Sequence, residues 1–381
     1  MTQPRLLIDA SAGFNQGAGI GRYAREIMRS ALPDIAADFD LTIWYAPDGR
    51  KRPPFRDEAL ATVPEALRRS VHRSPYSRRR VDQLARLPFD IASSFVAPRA
   101  DFAYSPDFTL PGIWKLGGMI TVHDLAFEII PDAYPAGLLA YLRHVVPKNI
   151  RQAQQIAVVS RTTRIDVVER YKIPIDQIVV VPNAADDRFF AATPLAEQRA
   201  TVFGLPERYL LAVGTIEPRK NYRTLLAAQQ LAWESTRQPL VIVGRSGWQN
   251  DAEMKLIGEL ARKGAVIPIL NASDADLPGL YAGATALVYV PLYEGFGLPV
   301  LEAMACGTSV ITSDIPSVRE IASGHATIVP PQHVDELAQV LIAATPATQV
   351  EAMDLRNAAR MYQWSESGGI LSQALKRLSS P

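Results

Sequence analysis

A doubly wound α/β fold, built twice in one chain, is what the sequence predicts. Three observations carry that expectation. The 381 residues exceed the ~250–300 at which single hydrophobic cores stop growing. Twelve short runs rich in Val, Ile and Leu alternate with amphipathic helical stretches, the pattern of βα units. The runs are continuously apolar instead of alternating, as parallel strands covered on both faces are. Two Rossmann-like domains facing each other across a cleft follow, with ligands expected at the carboxyl ends of the strands.

The first set of strands is Leu6–Ala10, Leu41–Tyr45, Phe102–Tyr104, Met119–Val122, Ile156–Val159 and Ile178–Val181. The second is Tyr209–Val213, Leu240–Val243, Val266–Leu270, Ala286–Val290, Ser309–Thr312 and Ala326–Val329. Between them, Pro182, Pro194 and Pro206 punctuate a stretch without a convincing strand. The expected division is therefore residues 1–185 as the first domain, 186–207 as linker and 208–362 as the second domain. Residues 363–381 carry an amphipathic helix, Gln363–Leu378, that packs back on the first domain.

Composition narrows the class. A chain that is 48% hydrophobic and 21% charged is globular, not disordered. The lone Cys306 excludes an intramolecular disulfide and a cysteine-built metal site, and fits a reducing, cytoplasmic setting. The start, MTQPRLLIDAS, has Asp9 where the apolar core of a secretory signal would continue. The stretch Leu277–Tyr293 lacks charges but is broken by Pro278, Gly279, Gly283 and Pro291; it falls short of the ~20 apolar residues of a spanning helix. The net charge of +1 conceals an excess between Arg50 and Arg99, with twelve Lys/Arg against five Asp/Glu. Within it, Val81, Leu84 and Leu87 fall at helical spacing beside Arg78, Arg79, Arg80 and Arg86. That pattern fits an interfacial helix on an anionic membrane surface, and equally an apolar face packed on the sheet. Nucleic acid is not an expected partner.

The densest motif is ALVYVPLYEGFGLPVLEAMACG, from Ala286 to Gly307. A strand ends near Val290 and Glu294 follows in the loop. Gly295-Phe296-Gly297 makes a permissive turn, and Pro299 suits the start of a helix. Glu302 then lies one turn inside that helix. The helix N-terminus, with amides at Gly297 and Leu298, is an anion site. Two carboxylates beside it would repel a bare phosphate, so their task is to accept hydrogen bonds from hydroxyls. A nucleotide sugar, phosphates in the middle and hydroxyls at both ends, meets both demands.

A second motif, Gly214-Thr215-Ile216-Glu217-Pro218-Arg219-Lys220-Asn221, also lies between strand and helix. Adjacent cations at a helix start oppose the helix dipole; the growing charge of a departing diphosphate gives them a purpose. The Gly17–Gly21 cluster after the first strand suits backbone approach to phosphate. It also raises the alternative of a dinucleotide oxidoreductase, which the second strand argues against by ending at Tyr45 without a ribose-binding acid. His123, in Thr121-Val122-His123-Asp124-Leu125, ends a strand where it could touch substrate. Asp274-Ala275-Asp276 mimics a metal-binding acid pair but reads better as a helix N-cap.

Together these stretches resemble the retaining nucleotide-sugar glycosyltransferases of family 4, with the GT-B fold. The resemblance runs through VHDLAF, AVVS at Ala157–Ser160, VPN at Val181–Asn183, GTIEPRKN and EGFGLPVLEAMACG, and is strongest for the bacterial mannosyltransferase and O-antigen polysaccharide transferase branch. It implies that Glu294 contacts donor-sugar hydroxyls and Glu302 the ribose. It implies that Arg219 and Lys220 neutralise the diphosphate, aided by the backbones of Gly19, Phe296, Gly297 and Leu298. His123 would stand beside the donor sugar, with residues 1–185 as the acceptor domain and residues 208–362 as the nucleotide-sugar donor domain. Ala18 replaces the first of the family's paired glycines, and Arg319 adds a charge at the end of the donor pocket.

The resulting expectation is a metal-independent enzyme without a cofactor that moves a hexose, best mannose from GDP-mannose, to a glycan or lipid-linked glycan with retention. A GT-B nucleotide-sugar epimerase and a catalytically silent nucleotide-sugar-binding protein are the alternatives.

Overall fold

The computed structural model describes residues 3–17, 19–84, 99–110, 117–270, 272–322 and 324–379. The chain divides into two compact units. Unit 1 comprises residues 1–125, 141–183 and 363–381; unit 2 comprises 126–140 and 184–362.

Unit 1 is a seven-stranded sheet of β1 (Arg5–Asp9), β2 (Asp40–Tyr45), β3 (Val71–Arg73), β4 (Phe102–Ser105), β5 (Gly118–Val122), β6 (Gln155–Val158) and β7 (Ile178–Val180). All pairings are parallel. The order is β3-β2-β1-β4-β5-β6-β7, so the direction of winding reverses between β1 and β4. All five residues of β5 are buried. At Gly118 a β-carbon would lie 2.1 Å from the Ala103 carbonyl oxygen, which restricts that position to glycine.

Unit 2 is a six-stranded parallel sheet of β8 (Leu210–Val213), β9 (Leu240–Val243), β10 (Val266–Ile269), β11 (Ala286–Tyr289), β12 (Ser309–Ser313) and β13 (Thr327–Val329). Its order, β10-β9-β8-β11-β12-β13, reverses between β8 and β11. Leu210, Leu240, Ile242 and Val288 from the sheet meet Leu225, Leu226 and Leu337 from covering helices in one core. Each such side chain contributes about 1.5–3 kcal/mol on burial.

Every expected strand is present, shifted at its ends by a residue or so. The additional strand β3 is three residues long, with His72 and Arg73 exposed, and carries no apolar run to announce it. The C-terminal helix, Trp364–Ser379, lies on the helix Ile20–Asp38 within unit 1. Leu371, Ala374 and Leu375 form its buried face; Gly368 fits against Ser30, where a β-carbon would come within 2.7 Å.

Two expectations change. Residues 186–207 are not a linker. They form the helices Asp187–Phe190 and Glu197–Phe203 inside unit 2, with Phe189 fully buried and edge-on to the Tyr281 ring at 5.8 Å. Residues 126–140, expected in the first domain because the strand–helix alternation runs through them unbroken, belong to unit 2. There the Trp248 indole Nε1 donates to the Ala133 carbonyl at 2.8 Å and its ring meets Tyr134. The arginine-rich helix, Arg78–Leu84, follows the second of its two expected readings, an apolar face packed on the sheet. Val81 is fully buried and, with Leu84, packs on Leu7, Trp44, Ala46 and Ala103 of the sheet. Arg86 and Leu87 lie outside the described residues. Among the described residues no helix is long and apolar enough to cross a membrane.

Candidate active site

The charged centre of unit 2 stands at the reversal between β8 and β11. After β8 the chain makes a single 3₁₀ turn, Pro218–Lys220, and Asn221 takes a left-handed conformation at φ 59°. The Asn221 side chain holds that turn by donating to the Val290 carbonyl at 2.9 Å and to that of Pro331. Helix Tyr222–Thr236 then begins, so both cations are fixed before its first turn.

Arg219 and Lys220 converge on one carboxylate oxygen. The Lys220 ammonium donates to Glu294 Oε1 at 2.6 Å, and Arg219 Nη1 donates to the same oxygen. Arg219 is held from behind by Glu217, whose Oε1 accepts from Nε at 3.1 Å and pairs with Nη2 at 2.9 Å. Lys220 also donates to the Tyr289 hydroxyl at 2.7 Å. Burial alone would raise the Glu294 carboxyl, but Arg219 and Lys220 outweigh it and hold the group below its ordinary value. The Arg219 fork therefore has a fixed orientation, one edge on Glu217 and one tip on Glu294.

The other expected residues of unit 2 are placed as follows. Gly297, at φ 107°, precedes the helix Leu298–Cys306, and no side chain caps that N-terminus. Phe296 is buried and edge-on to Tyr362 at 5.7 Å. Glu302 does not join the Arg219–Lys220–Glu294 group; it is buried, and accepts from the Tyr281 hydroxyl at 2.8 Å. Asp276 makes no capping bond to the helix that follows it. Its carboxylate pairs with Arg199 and accepts from Ser273, because Arg199 reaches it from the segment expected to be linker. Arg319 pairs with Asp314, which explains its charge locally. Among the described residues no three His, Cys, Asp or Glu side chains cluster as metal ligands would.

Unit 1 holds the remaining expected residues. Gly19 has φ 55° and caps the helix Ile20–Asp38; Ala18 lies outside the described residues. The preceding loop wraps the buried Arg25 guanidinium, which donates to the carbonyls of Gly13, Gln16 and Gly17 at 2.8–2.9 Å. His123 follows β5. Its Nε2 donates to the Pro106 carbonyl at 2.8 Å, and Tyr23 meets the ring edge-on at 4.8 Å. Burial lowers the ring's pKa against the opposing pull of the Pro106 carbonyl, Asp107 and Asp124. A neutral ring that donates from Nε2 carries its lone pair on Nδ1.

Sequence reasoning passed over several residues that the fold makes central. Glu217 and Tyr289 sit inside the quoted motifs, Glu217 in the loop after β8 and Tyr289 at the end of β11. Asp9 is buried at the end of β1, where Arg78 Nη1 donates to it at 2.8 Å while Nη2 donates to Thr109 Oγ1 at 2.8 Å. Arg78 thus points inward, away from any lipid surface.

Two family models divide the chain. "Glycosyltransferase Family 4" matches residues 17–189, and "Glycosyl transferases group 1" matches residues 196–360. The chain belongs to the family 4 glycosyltransferases. Among curated relatives of this transferase, the O-antigen chain mannosyltransferase B of Escherichia coli is 29% identical over 369 residues, 91% of this chain and 92% of that protein. Among solved structures, sucrose-phosphate synthase from Thermosynechococcus elongatus superposes with a TM-score of 0.71 at 20% identity, over 99% of both chains. HepE of Anabaena, solved in complex with UDP and glucose, superposes at 0.69 and 15% identity, over 98% of this chain and all of that one. The fold is GT-B, and each of its two Rossmann-like units carries part of the expected site.

Proposed function

We propose that this glycosyltransferase moves mannose from GDP-mannose to a hydroxyl of a growing, lipid-linked glycan, with retention and without a metal. The observation that carries the reading is the convergence of Arg219 and Lys220 on Glu294 at the β8/β11 reversal. A diphosphate competes with that carboxylate for the same two donors, and Glu294 is then available to sugar hydroxyls. The glycosidic C1–O bond breaks and the electron pair leaves with the nucleoside diphosphate, whose growing charge Arg219 and Lys220 stabilise. The acceptor oxygen bonds to C1 on the same face and its proton passes to the departing phosphate. His123, neutral, offers a polar ring without adding charge. The mannose assignment draws on the resemblance to the O-antigen mannosyltransferase of Escherichia coli. Attachment to an anionic membrane would rest on exposed basic residues of the Arg50–Arg99 region, Arg68, Arg69, Arg73, Arg79 and Arg80 among them, since Val81 is buried against the sheet.

A thermal-shift screen of nucleoside diphosphates and nucleotide sugars, followed by transfer assays, tests this reading, because a ligand that binds the native state raises Tm. GDP and GDP-mannose should stabilise the protein, and the product of transfer should keep the donor's anomeric configuration. Stabilisation by UDP-glucose instead would overturn the donor. Conversion of the donor sugar without an acceptor would point to the epimerase, and tight binding without turnover to a silent binder.

A further inference from the structure

Lys220, Glu294 and Tyr289 form a closed triangle at the charged centre of unit 2, and the proposed transfer uses only the first two. The Lys220 ammonium donates to Glu294 Oε1 at 2.6 Å and to the Tyr289 hydroxyl at 2.7 Å. The Tyr289 hydroxyl closes the figure with its own hydrogen bond to the Glu294 carboxylate. Its two partners fix the sense of both bonds. An ammonium only donates and an ionised carboxylate only accepts, so the hydroxyl accepts from Lys220 and donates to Glu294. Burial raises the Tyr289 phenol well above its ordinary value, so it keeps the proton that the second bond needs.

The three corners are not equally anchored. Lys220 ends a 3₁₀ turn and Glu294 lies in the loop after β11. Tyr289 is the last residue of β11, buried and paired with Thr312 of β12. Its ring also stands 5.1 Å from the ammonium, within reach of cation–π attraction. Glu217 and Arg219 face the triangle from the turn, and Tyr222 from the helix that follows. A diphosphate that draws Lys220 away breaks the direct bond to Glu294. Tyr289 then remains the link between the two.

We propose that Tyr289 is a positioning residue for transfer, whose hydroxyl holds the Lys220 ammonium and the Glu294 carboxylate at a fixed separation so that one meets the diphosphate while the other meets the sugar. The inference rests on the transferase reading above and deepens it. Tyr289 acts through its two neighbours.

The test uses the full chain with Tyr289→Phe, which keeps the ring and removes only the hydroxyl. Turnover with GDP-mannose should fall about tenfold, the loss of a hydrogen bond to a charged group. GDP affinity by calorimetry at neutral pH should stay within about threefold, because the ammonium keeps its charge and its aromatic neighbour. Without its acceptor the buried ammonium loses its proton more readily, so the alkaline limb of GDP binding should move to lower pH, by about one for a tenfold weaker hold. In a Lys220→Ala background the same substitution should cost far less turnover than in the wild type, because the pair it spaces is gone.

An unmoved alkaline limb, full additivity with Lys220→Ala, turnover within twofold of wild type, or a loss of GDP affinity as large as the loss of turnover would overturn the role. GDP and UDP are both titrated, so that a different donor base is told apart from a failed role; a wild type that binds neither overturns it. A limb that moves in a protein that binds nucleotide but transfers no sugar would sustain the Tyr289 role and sink the transferase reading instead.

Discussion

The two reversals of winding, β8/β11 in unit 2 and β1/β4 in unit 1, are the same topological place with different chemistry. In unit 2 two cations meet at Glu294, and Glu217 braces one of them from behind. In unit 1, among the described residues, Arg78 donates to Asp9 and Thr109, and the Asp107 carboxylate accepts from the Phe108 amide. Strand order therefore sets where charged side chains gather, while the loops after the strands decide which charges those are.

The sharpest way to break the comparison is to remove a cation from unit 2. Lys220→Ala should lower turnover by ~10²–10³, the effect of losing one preorganised charge-stabilising donor. Turnover of the wild type should survive EDTA. Complete loss in EDTA, restored by magnesium or manganese, would take the leaving-group role away from Arg219 and Lys220.

The next effect separates the two glutamates. Glu294→Gln should cost transfer about 1.5–3 kcal/mol in the barrier, as a charged acceptor of sugar hydroxyls is lost. Its affinity for GDP should rise, because Arg219 and Lys220 are freed from a competing carboxylate. Glu302→Gln should instead weaken GDP binding if ribose displaces the Tyr281 hydroxyl from that carboxylate. Calorimetry on both variants decides; equal losses of GDP affinity would erase the division of roles.

Acid should act on the two places in opposite directions. Glu294 is held low in the fold, so its stabilising contribution is complete above the unfolded value of ~4.3 and is lost as pH falls through the lower folded value. Asp107 is raised by burial, so its favourable share is complete below ~3.9 and is lost as pH rises through the higher folded value. Melting curves between about pH 3 and 7 should show the Glu294→Gln penalty shrinking in acid. Asp107→Asn should gain over wild type at neutral pH and lose that gain in acid.

The smallest expected effect lies on the surface. Binding to anionic vesicles through Arg68, Arg69, Arg73, Arg79 and Arg80 should be weak and vanish at high salt, where exposed charges are screened. Arg79→Ser/Arg80→Ser should reduce it, whereas Arg78→Ser should lower Tm. Binding indifferent to all three substitutions would leave these arginines a solvated face.

Much of this was legible in the sequence because buried parallel strands are continuous apolar runs, and glycines and charges just beyond them mark the ligand edge. Glu294 and the Arg219–Lys220 pair were readable as ligand-edge residues for that reason, though in two separate motifs whose convergence only the fold shows. The strand Val71–Arg73 was not, since an exposed edge needs no apolar pattern. Nor was the inward turn of Arg78: its neighbours Arg79 and Arg80 share its residue type, and only the position of Asp9 across the fold distinguishes it. Glu217 stood in plain view, but an acid beyond a strand end announces a role only when its neighbours in space are known.

The assignment of residues 126–140 to unit 2 has a consequence for recombination. The natural seam for exchanging the second half of this chain with that of a relative lies at residue 184, by sequence order. A chimaera joined there would dock a foreign second unit against the native Ala133 carbonyl and Tyr134, the partners of Trp248. An interchangeable cassette of this fold is therefore discontinuous in the gene, and swaps of the second unit should carry residues 126–140 with them.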